Sequence, residues 1–165
     1  MILDLRKAFS QDNYHEPIEY ELDLSDINFG RVYPLKKPVK VTANLETKAG
    51  VVLLSIRCEA SYEAPCDRCY EECTQVITVD TEYILATELE NEDNDDILLV
   101  ADMELNLDEL CRTDVLLHIP MKHLCSPECK GLCAGCGKNL NKEECTCTGK
   151  EIDPRFEALA KLLEQ

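Results

Sequence analysis

Residues 39–63 read VKVTANLETKAGVVLLSIRCEASYE and contain two strand patterns joined by a turn. Apolar side chains occupy every second position from Val39 to Leu45, which is the period of a strand with one buried face. The turn Lys48-Ala49-Gly50 then leads into a second run rich in Val, Leu and Ile. The stretch therefore predicts a β-hairpin.

The segments on either side of this hairpin also have strand patterns. Residues 18–24 alternate between apolar and acidic side chains, and residues 75–86 form a further run with Val, Ile and Tyr. Successive strands with short connections usually pair with one another. We therefore predict an α+β protein with an antiparallel β-meander or small barrel-like sheet, followed by helices and a C-terminal zinc-knuckle segment.

Helices are expected after the sheet. Asn106 and Glu109 have the spacing of an N-cap and its capping-box partner, which predicts a helix over residues 107–118. Asp153-Pro154 is a second helix start, and the residues that follow have an apolar face. That face is formed by Phe156, Leu159, Ala160 and Leu163.

These patterns divide the chain into three parts. Residues 1–87 are predicted to form the antiparallel β domain. Residues 88–105 are predicted to be an acidic linker region, because their first half has almost nothing to bury. Residues 106–165 are predicted to be a helical region with a cysteine-rich, metal-binding segment at residues 125–147, packed as one unit with the sheet.

The charge distribution limits the partners. A formal net charge of −16 argues against a surface that attracts nucleic acid as a whole, because affinity for phosphates comes largely from Lys and Arg. Basic residues are concentrated near residues 31–48 and around the cysteine-rich segment. Contacts with RNA or another partner are therefore expected at Lys36, Lys37, Lys40, Lys130 and Lys138.

The sequence predicts a protein that is neither exported nor inserted in a membrane. The N-terminal residues are too polar for a signal peptide, and no run approaches the roughly 20 apolar residues of a membrane span. We therefore expect a cytoplasmic protein with reduced thiols and no membrane contact.

The cysteine count indicates metal ligands. Eleven cysteines cannot all pair within one chain, and clustered cysteines in a protein that is not secreted favour a metal.

Six of these cysteines lie within residues 125–147. Cys133 and Cys136, followed by Gly137, have the spacing of a zinc knuckle, which supplies two ligands from a tight turn. Two further ligands can come from upstream or from downstream, and the spacing does not decide between them. We favour a structural zinc ion (Zn2+) that is bound by Cys125, Cys129, Cys133 and Cys136. The alternative ligands are Cys145 and Cys147.

Other interpretations of the cysteines stay open. Cys66 and Cys69 repeat the knuckle spacing between two strands, and they form a second metal site, contribute to the first one, or belong to a strand connection with small buried side chains. An iron–sulfur cluster, a redox dithiol or packed free cysteines would be alternatives to structural zinc. Cys111 is expected in the core, and His123 is expected to be a partly exposed packing residue more often than a ligand. No catalytic motif is present, so we do not expect an enzyme.

The motifs together resemble the YceD family of large-subunit ribosomal RNA accumulation proteins. The resemblance is most specific in CSPECKGLCAGCGKNLN, residues 125–141, and continues with Cys145-Thr146-Cys147 and with DPRF at residues 153–156. Residues 3–9 (LDLRKAF), 38–41 (PVKV), 66–69 (CDRC) and 107–121 (LDELCRTDVLLHIPM) also resemble family segments in the same order.

The resemblance implies a role in ribosome biogenesis, in the accumulation or processing of large-subunit ribosomal RNA, by binding and without catalysis. It also implies a ribosomal-protein partner, because family members are commonly encoded beside a small zinc-ribbon protein of the large subunit. Such partners are basic and would suit the acidic part of this chain. A redox-sensitive zinc-binding chaperone or sensor is the alternative function, motivated by the number of cysteines.

Overall fold

The computed structural model describes residues 1–30, 32–88 and 97–147. Its elements in chain order are β1 (Ile2–Asp4), α1 (Arg6–Ser10), β2 (His15–Leu22), β3 (Val39–Lys48), β4 (Val51–Pro65), β5 (Glu72–Ala86), β6 (Ile97–Leu99), β7 (Glu104–Asn106) and α2 (Leu107–His118). Neither of these two helices has the length and apolar character needed to cross a membrane. The predicted hairpin is formed by β3 and β4, and the predicted helix over residues 107–118 is α2.

The strands confirm the predicted meander and add a parallel strand at its edge. Strands β2, β3, β4 and β5 are neighbours in that order, and each pair is antiparallel. Strand β6 lies beside β5 in parallel, so the sheet is mixed. Among the described residues β2 and β6 form open edges, because β1 and β7 pair with each other in a separate two-stranded sheet. Of the meander and the small barrel-like sheet that the sequence suggested, the described residues form the meander, as an open mixed sheet.

The core lies on one face of this sheet, as the alternating sequence requires. Leu45 on β3 is opposite Leu54 on β4, and Ala43 is opposite Ile56; all four side chains are buried. Helix α2 covers the same face, and its buried apolar side chains belong to the same cluster. Cys111 is one of them, which confirms its predicted place in the core.

A buried carboxylate fixes helix α2 to strand β5. Asp114 is 4 % exposed and accepts hydrogen bonds from Thr81 Oγ1 at 2.9 Å and from the Tyr83 hydroxyl at 2.5 Å. Burial and the hydrogen bond to Asp114 raise the pKa of Tyr83 above its ordinary value. Because a buried carboxylate needs partners, these two hydroxyls set the position of the helix on the sheet.

The predicted N-cap of helix α2 is confirmed. Asn106 Oδ1 accepts a hydrogen bond from the Glu109 amide at 3.4 Å, and the Asn106 side-chain amide faces the Glu109 carboxylate. We expect Asn106→Ala to lower the free energy of unfolding by about 1 kcal/mol, since an amide at the first turn loses its acceptor. Denaturant unfolding measures this, with the exposed Asp102→Ala as the matched control. Equal stability of the two variants would contradict the capping role.

Some predictions fall outside the described residues or stay untested. The helix expected from Asp153 and most of the acidic run, residues 89–96, lie outside the part of the chain that the structure describes. Strands β6 and β7 place residues 97–99 and 104–106 within the folded body. The division into parts at residues 1–87, 88–105 and 106–165 stays a prediction.

Candidate metal centre

Eight cysteines come together in two groups of four. Within each group the sulfur atoms all lie within 4.8 Å of one another. The first group joins the β4–β5 hairpin to the tail, which is the segment of residues 120–147, and consists of Cys66, Cys69, Cys125 and Cys129. The second group lies within the tail and consists of Cys133, Cys136, Cys145 and Cys147.

The sulfur separations suit a tetrahedral ion. In the first group Cys66 Sγ lies 3.9 Å from Cys129 Sγ, and Cys69 Sγ lies 3.6 Å from Cys125 Sγ. A disulfide would need about 2.05 Å, whereas zinc–sulfur bonds of about 2.3 Å place tetrahedral sulfurs about 3.8 Å apart. The first group therefore has the spacing of four thiolate ligands around one zinc ion.

The second group has a similar but slightly tighter spacing. Cys136 Sγ lies 3.6 Å from Cys145 Sγ, and Cys145 Sγ lies 3.2 Å from Cys133 Sγ. Both downstream cysteines belong to this group, so Cys147 stands beside the knuckle together with Cys145. The donor set is again four thiolates, which favours zinc or an iron–sulfur cluster over hard cations such as Mg²⁺.

The first knuckle forms at the tip of the β4–β5 hairpin. The Cys66 amide donates to the Glu71 carbonyl at 2.8 Å, and the Tyr70 amide donates to the Cys66 carbonyl at 2.9 Å. Tyr70 has a φ of 59°, in the left-handed region that glycine usually occupies. The long hairpin thus carries Cys66 and Cys69 to its end on a turn with a strained residue.

The second knuckle repeats these hydrogen bonds. The Cys133 amide donates to the Lys138 carbonyl at 2.8 Å, and the Gly137 amide donates to the Cys133 carbonyl at 2.9 Å. Gly137 has a φ of 74°, in the position that corresponds to Tyr70. The two turns are therefore equivalent in backbone structure, and glycine satisfies the left-handed position in the second.

Backbone contacts fasten the tail to the hairpin tip. The Asp67 amide donates to the His123 carbonyl at 2.9 Å, and the His123 amide donates to Asp67 Oδ2 at 2.7 Å. The Arg68 guanidinium donates to the Cys129 carbonyl at 2.8 Å. At Gly131, with a φ of 74°, a Cβ atom would lie 3.0 Å from the Arg68 carbonyl oxygen. Glycine is therefore required where the two segments approach most closely.

Thiol acidity differs within each group. Burial opposes ionisation of Cys66, but hydrogen bonds from the backbone of Cys125, Cys69 and Arg68 lower its pKa to about 6. Neighbouring thiols, Cys129 first and then Cys69, raise the pKa of Cys125 to about 12. Four sulfurs this close cannot all ionise without a compensating cation, which is what a metal ion supplies.

The second group shows the same contrast. Hydrogen bonding from the Cys136 backbone, with contributions from Cys145 and the Gly135 amide, lowers the pKa of Cys133 to about 6. The side chains of Cys145 and Cys136 raise the pKa of Cys147 to about 12. Each group thus combines a thiol prepared for ionisation with one that ionises only beside a cation.

His123 and Cys73 lie beside the first group but outside it. His123 is 4 % exposed, so it is a packing residue that is buried and not partly exposed as predicted. Its Nε2 lies 3.0 Å from the Ala64 carbonyl oxygen and 3.0 Å from Cys73 Sγ, and its ring meets Tyr62 edge to face. The histidine therefore supports the hairpin end and is not among the grouped ligand atoms.

The structure divides the four favoured ligands between the two groups. Cys125 and Cys129 lie with Cys66 and Cys69, whereas Cys133 and Cys136 lie with Cys145 and Cys147. The reason is the attachment at Arg68 and Gly131, which turns the chain between Cys129 and Cys133. Ion binding by any of these sets stays a prediction.

Sequence reasoning did not find the residues that organise the groups. Asn141 donates its side-chain amide to Cys129 Sγ at 3.2 Å and accepts from the Lys130 amide at 2.8 Å. Asp67 and Arg68 hold the tail from inside the first knuckle. The repeated Cys-x-x-Cys spacing marked both knuckles, but no spacing marks an asparagine that hydrogen-bonds a sulfur.

The five predicted contact lysines are scattered and partly paired. Lys36 and Lys37 lie within 3.7 and 2.8 Å of the Glu63 carboxylate, and Lys138 lies 3.3 Å from Glu143. Lys40 lies on the outer face of β3, and Lys130 directly follows Cys129 in the chain. Both are exposed and form no ion pair with another described residue.

The fold and the site define a small α+β protein in which an open β-meander carries a cysteine-rich tail on the tip of its longest hairpin. The chain matches the family described as large ribosomal RNA subunit accumulation protein YceD over residues 54–163, two thirds of its length. It therefore belongs to the YceD family, as the sequence motifs indicated.

Two plant relatives agree with this membership, although each matches a shorter part of the chain than the family model does. The chain is 39 % identical over 62 residues to the large ribosomal RNA subunit accumulation protein YCED homolog 1, chloroplastic, of Arabidopsis thaliana, covering 38 % of this chain and 19 % of that protein. The Zea mays homolog of the same name is 40 % identical over 53 residues, 32 % of this chain and 18 % of that protein. The chain thus spans about a fifth of the length of these plant relatives.

A bacterial relative covers more of the chain. The uncharacterized protein YlbN of Bacillus subtilis is 26 % identical over 130 residues, which is 78 % of this chain and 76 % of that protein. No solved structure matches the chain.

Proposed function

We propose that this protein supports the accumulation or processing of large-subunit ribosomal RNA, and that it does so by binding the RNA or its precursor, directly or through a ribosomal protein, and not by catalysis. The observation that carries the proposal is membership of a family described by large ribosomal RNA subunit accumulation. The plant relatives bear the same description in their names.

Structural zinc is the proposed cofactor. Outside the main core, the described residues form one further buried cluster, which consists of Cys66, Cys69 and Cys129 with Cys73 and Leu124 packed against it. Such a cluster has too little apolar surface to hold the tail in place. A thiolate-bound zinc ion contributes on the order of 10 kcal/mol of apparent binding free energy and would supply the missing stability.

The charge of the surface favours a protein partner for the sheet and RNA only locally. The outer face of the sheet exposes six acidic side chains and three basic ones: Glu19, Glu21, Glu59, Glu72, Asp80 and Glu82, with Lys40, Lys48 and Arg57. Arg57 is paired with Asp80 at 2.8 Å and Lys48 is paired with Glu46, so Lys40 is the basic side chain of this face that forms no ion pair with another described residue. A basic ribosomal protein complements such a face. RNA contact is proposed at Lys130 and Lys40. Lys36, Lys37 and Lys138 would join this contact once RNA phosphates replace Glu63 and Glu143 as their ion-pair partners.

Depletion of the protein tests the proposed function. We expect the ratio of large-subunit to small-subunit ribosomal RNA to fall, because precursor molecules lose a binding factor needed for accumulation. Gradient profiles of ribosomal subunits and quantification of both RNAs measure this effect. Re-expression of the wild-type chain should restore the ratio, and a Lys40→Glu, Lys130→Glu variant should restore it less well than a Lys7→Glu control.

The result that counts against the proposal is equally clear. Normal amounts of both subunits in cells that lack the protein would remove its main support. Full restoration by the Lys40→Glu, Lys130→Glu variant would leave the role intact and would assign binding to another surface, with the acidic sheet face as the first one to vary.

A further inference from the structure

The eight grouped cysteines form two closed sets of donors. Each set offers four sulfurs within 4.8 Å of one another, which completes a tetrahedral ion without a ligand from the other set. Cys129 and Cys133 are four positions apart in the chain but belong to different sets, because the left-handed Gly131 lies between them. Two ions are therefore needed to satisfy the eight thiols.

The two sets share the hydrogen bonds that prepare thiolates. In the second set the Gly135 amide points at Cys133 Sγ at 3.4 Å, and the Cys147 amide points at Cys145 Sγ at 3.3 Å. In the first set Asn141 Nδ2 donates to Cys129 Sγ at 3.2 Å. Donors of this kind orient ligands and stabilise the thiolate form. Both sets are consequently built for a cation.

The sets differ in their access to solvent. In the first set Cys66, Cys69 and Cys129 are at most 4 % exposed, and Cys125 alone is exposed. In the second set Cys136 and Cys147 are exposed and the other two are half-buried. A chelator or a competing thiol removes zinc by approaching the ion and replacing its ligands one by one. The second set offers such a molecule two exposed cysteines and two half-buried ones, whereas the first offers Cys125 alone.

We propose that the protein carries two separate zinc sites of unequal exchange: Cys66, Cys69, Cys125 and Cys129 retain their ion, and Cys133, Cys136, Cys145 and Cys147 exchange theirs with the solution. This inference rests on the zinc part of the proposed function and not on its RNA part. The order of residues 133–147 would then depend on available zinc. The contact between the first cysteine group of the tail and the β4–β5 hairpin tip would be kept.

The test is metal release from the purified full-length protein. Elemental analysis should find two zinc ions per chain. When excess EDTA and a zinc-sensitive dye are added, zinc should leave in two phases of one equivalent each, with the second slower by about tenfold or more, the scale on which outer-shell contacts change metal affinity. A Cys133→Ser, Cys136→Ser variant should lose the fast phase and keep the slow one. Cys73→Ser is the matched control, because this thiol lies outside both sets, and it should keep both phases.

Several results would overturn the inference. One ion per chain, a single release phase of two equivalents, or disappearance of the slow phase in the Cys133→Ser, Cys136→Ser variant would each do so. A coloured protein that contains iron would replace zinc with a cluster. None of these results depends on ribosomal RNA levels, so failure here and failure of the proposed function are distinguishable.

Discussion

Replacement of both Cys66 and Cys69 by serine is expected to abolish one bound ion and to release the tail, from about residue 120 to residue 147, from the hairpin tip. These thiols supply half of the first group and lie buried at its centre. A structural zinc ion contributes on the order of 10 kcal/mol of apparent binding free energy, which exceeds any other single contribution at this junction. The hydrogen bonds between Asp67 and His123 contribute only about 1–3 kcal/mol in total and cannot hold the tail alone.

The sheet itself should survive the same change. The buried cluster of the sheet and helix α2 contains neither Cys66 nor Cys69, so its packing does not depend on the ion. Hydrogen exchange should therefore show loss of protection at Cys129 and Leu132 amides, with protection retained in β3 and β4. Cys73→Ser serves as the control that removes a neighbouring thiol without removing a grouped one. A metal-free double variant whose tail keeps wild-type protection would refute the claim that an ion holds this segment.

The sequence predicted those parts of the fold that depend on local pattern. Alternation in residues 39–45 and the Asn106 cap are short-range signals, and β3, β4 and α2 follow them. The parallel partner β6 and the pairing of β1 with β7 depend on contacts between distant segments that carry no period of their own. The meander is therefore observed as predicted, whereas the parallel edge strand was not predicted, since edge pairing is decided by the whole topology.

The cysteine groups show the same limit more sharply. Knuckle spacing marks which thiols share a turn, but it does not mark which turns share an ion. Cys66 and Cys129 are 63 positions apart and meet because the β4–β5 hairpin is long and because Arg68 binds the Cys129 carbonyl. Which of these cysteines lie together is thus decided by tertiary contacts, as is the position of Asn141 beside the Cys129 sulfur.

Leu54→Ala is expected to cost about 3–5 kcal/mol of unfolding free energy, because the change removes a buried side chain and leaves a cavity. Leu54 is fully buried on β4, between Leu45 on β3 and Tyr83 on β5. A domain of this size has about 5–15 kcal/mol in total, so the variant should be close to unfolding at moderate denaturant. Val76→Ala on β5 is the control: this side chain is 68 % exposed, and its loss should cost within about 0.5 kcal/mol.

The variant also tests how the sheet and the metal are linked. Strands β4 and β5 carry Cys66 and Cys69 at their shared tip, so unfolding of the sheet separates these ligands from Cys125 and Cys129. A ligand that binds only the folded state stabilises it in proportion to the logarithm of its concentration. Added zinc should therefore raise the urea midpoint of metal-depleted Leu54→Ala protein, and EDTA should lower that of the loaded protein. A urea midpoint that does not change with zinc would contradict this linkage. It would mean that the core of the β4–β5 hairpin and the first cysteine group fold independently, although they share the same two strands.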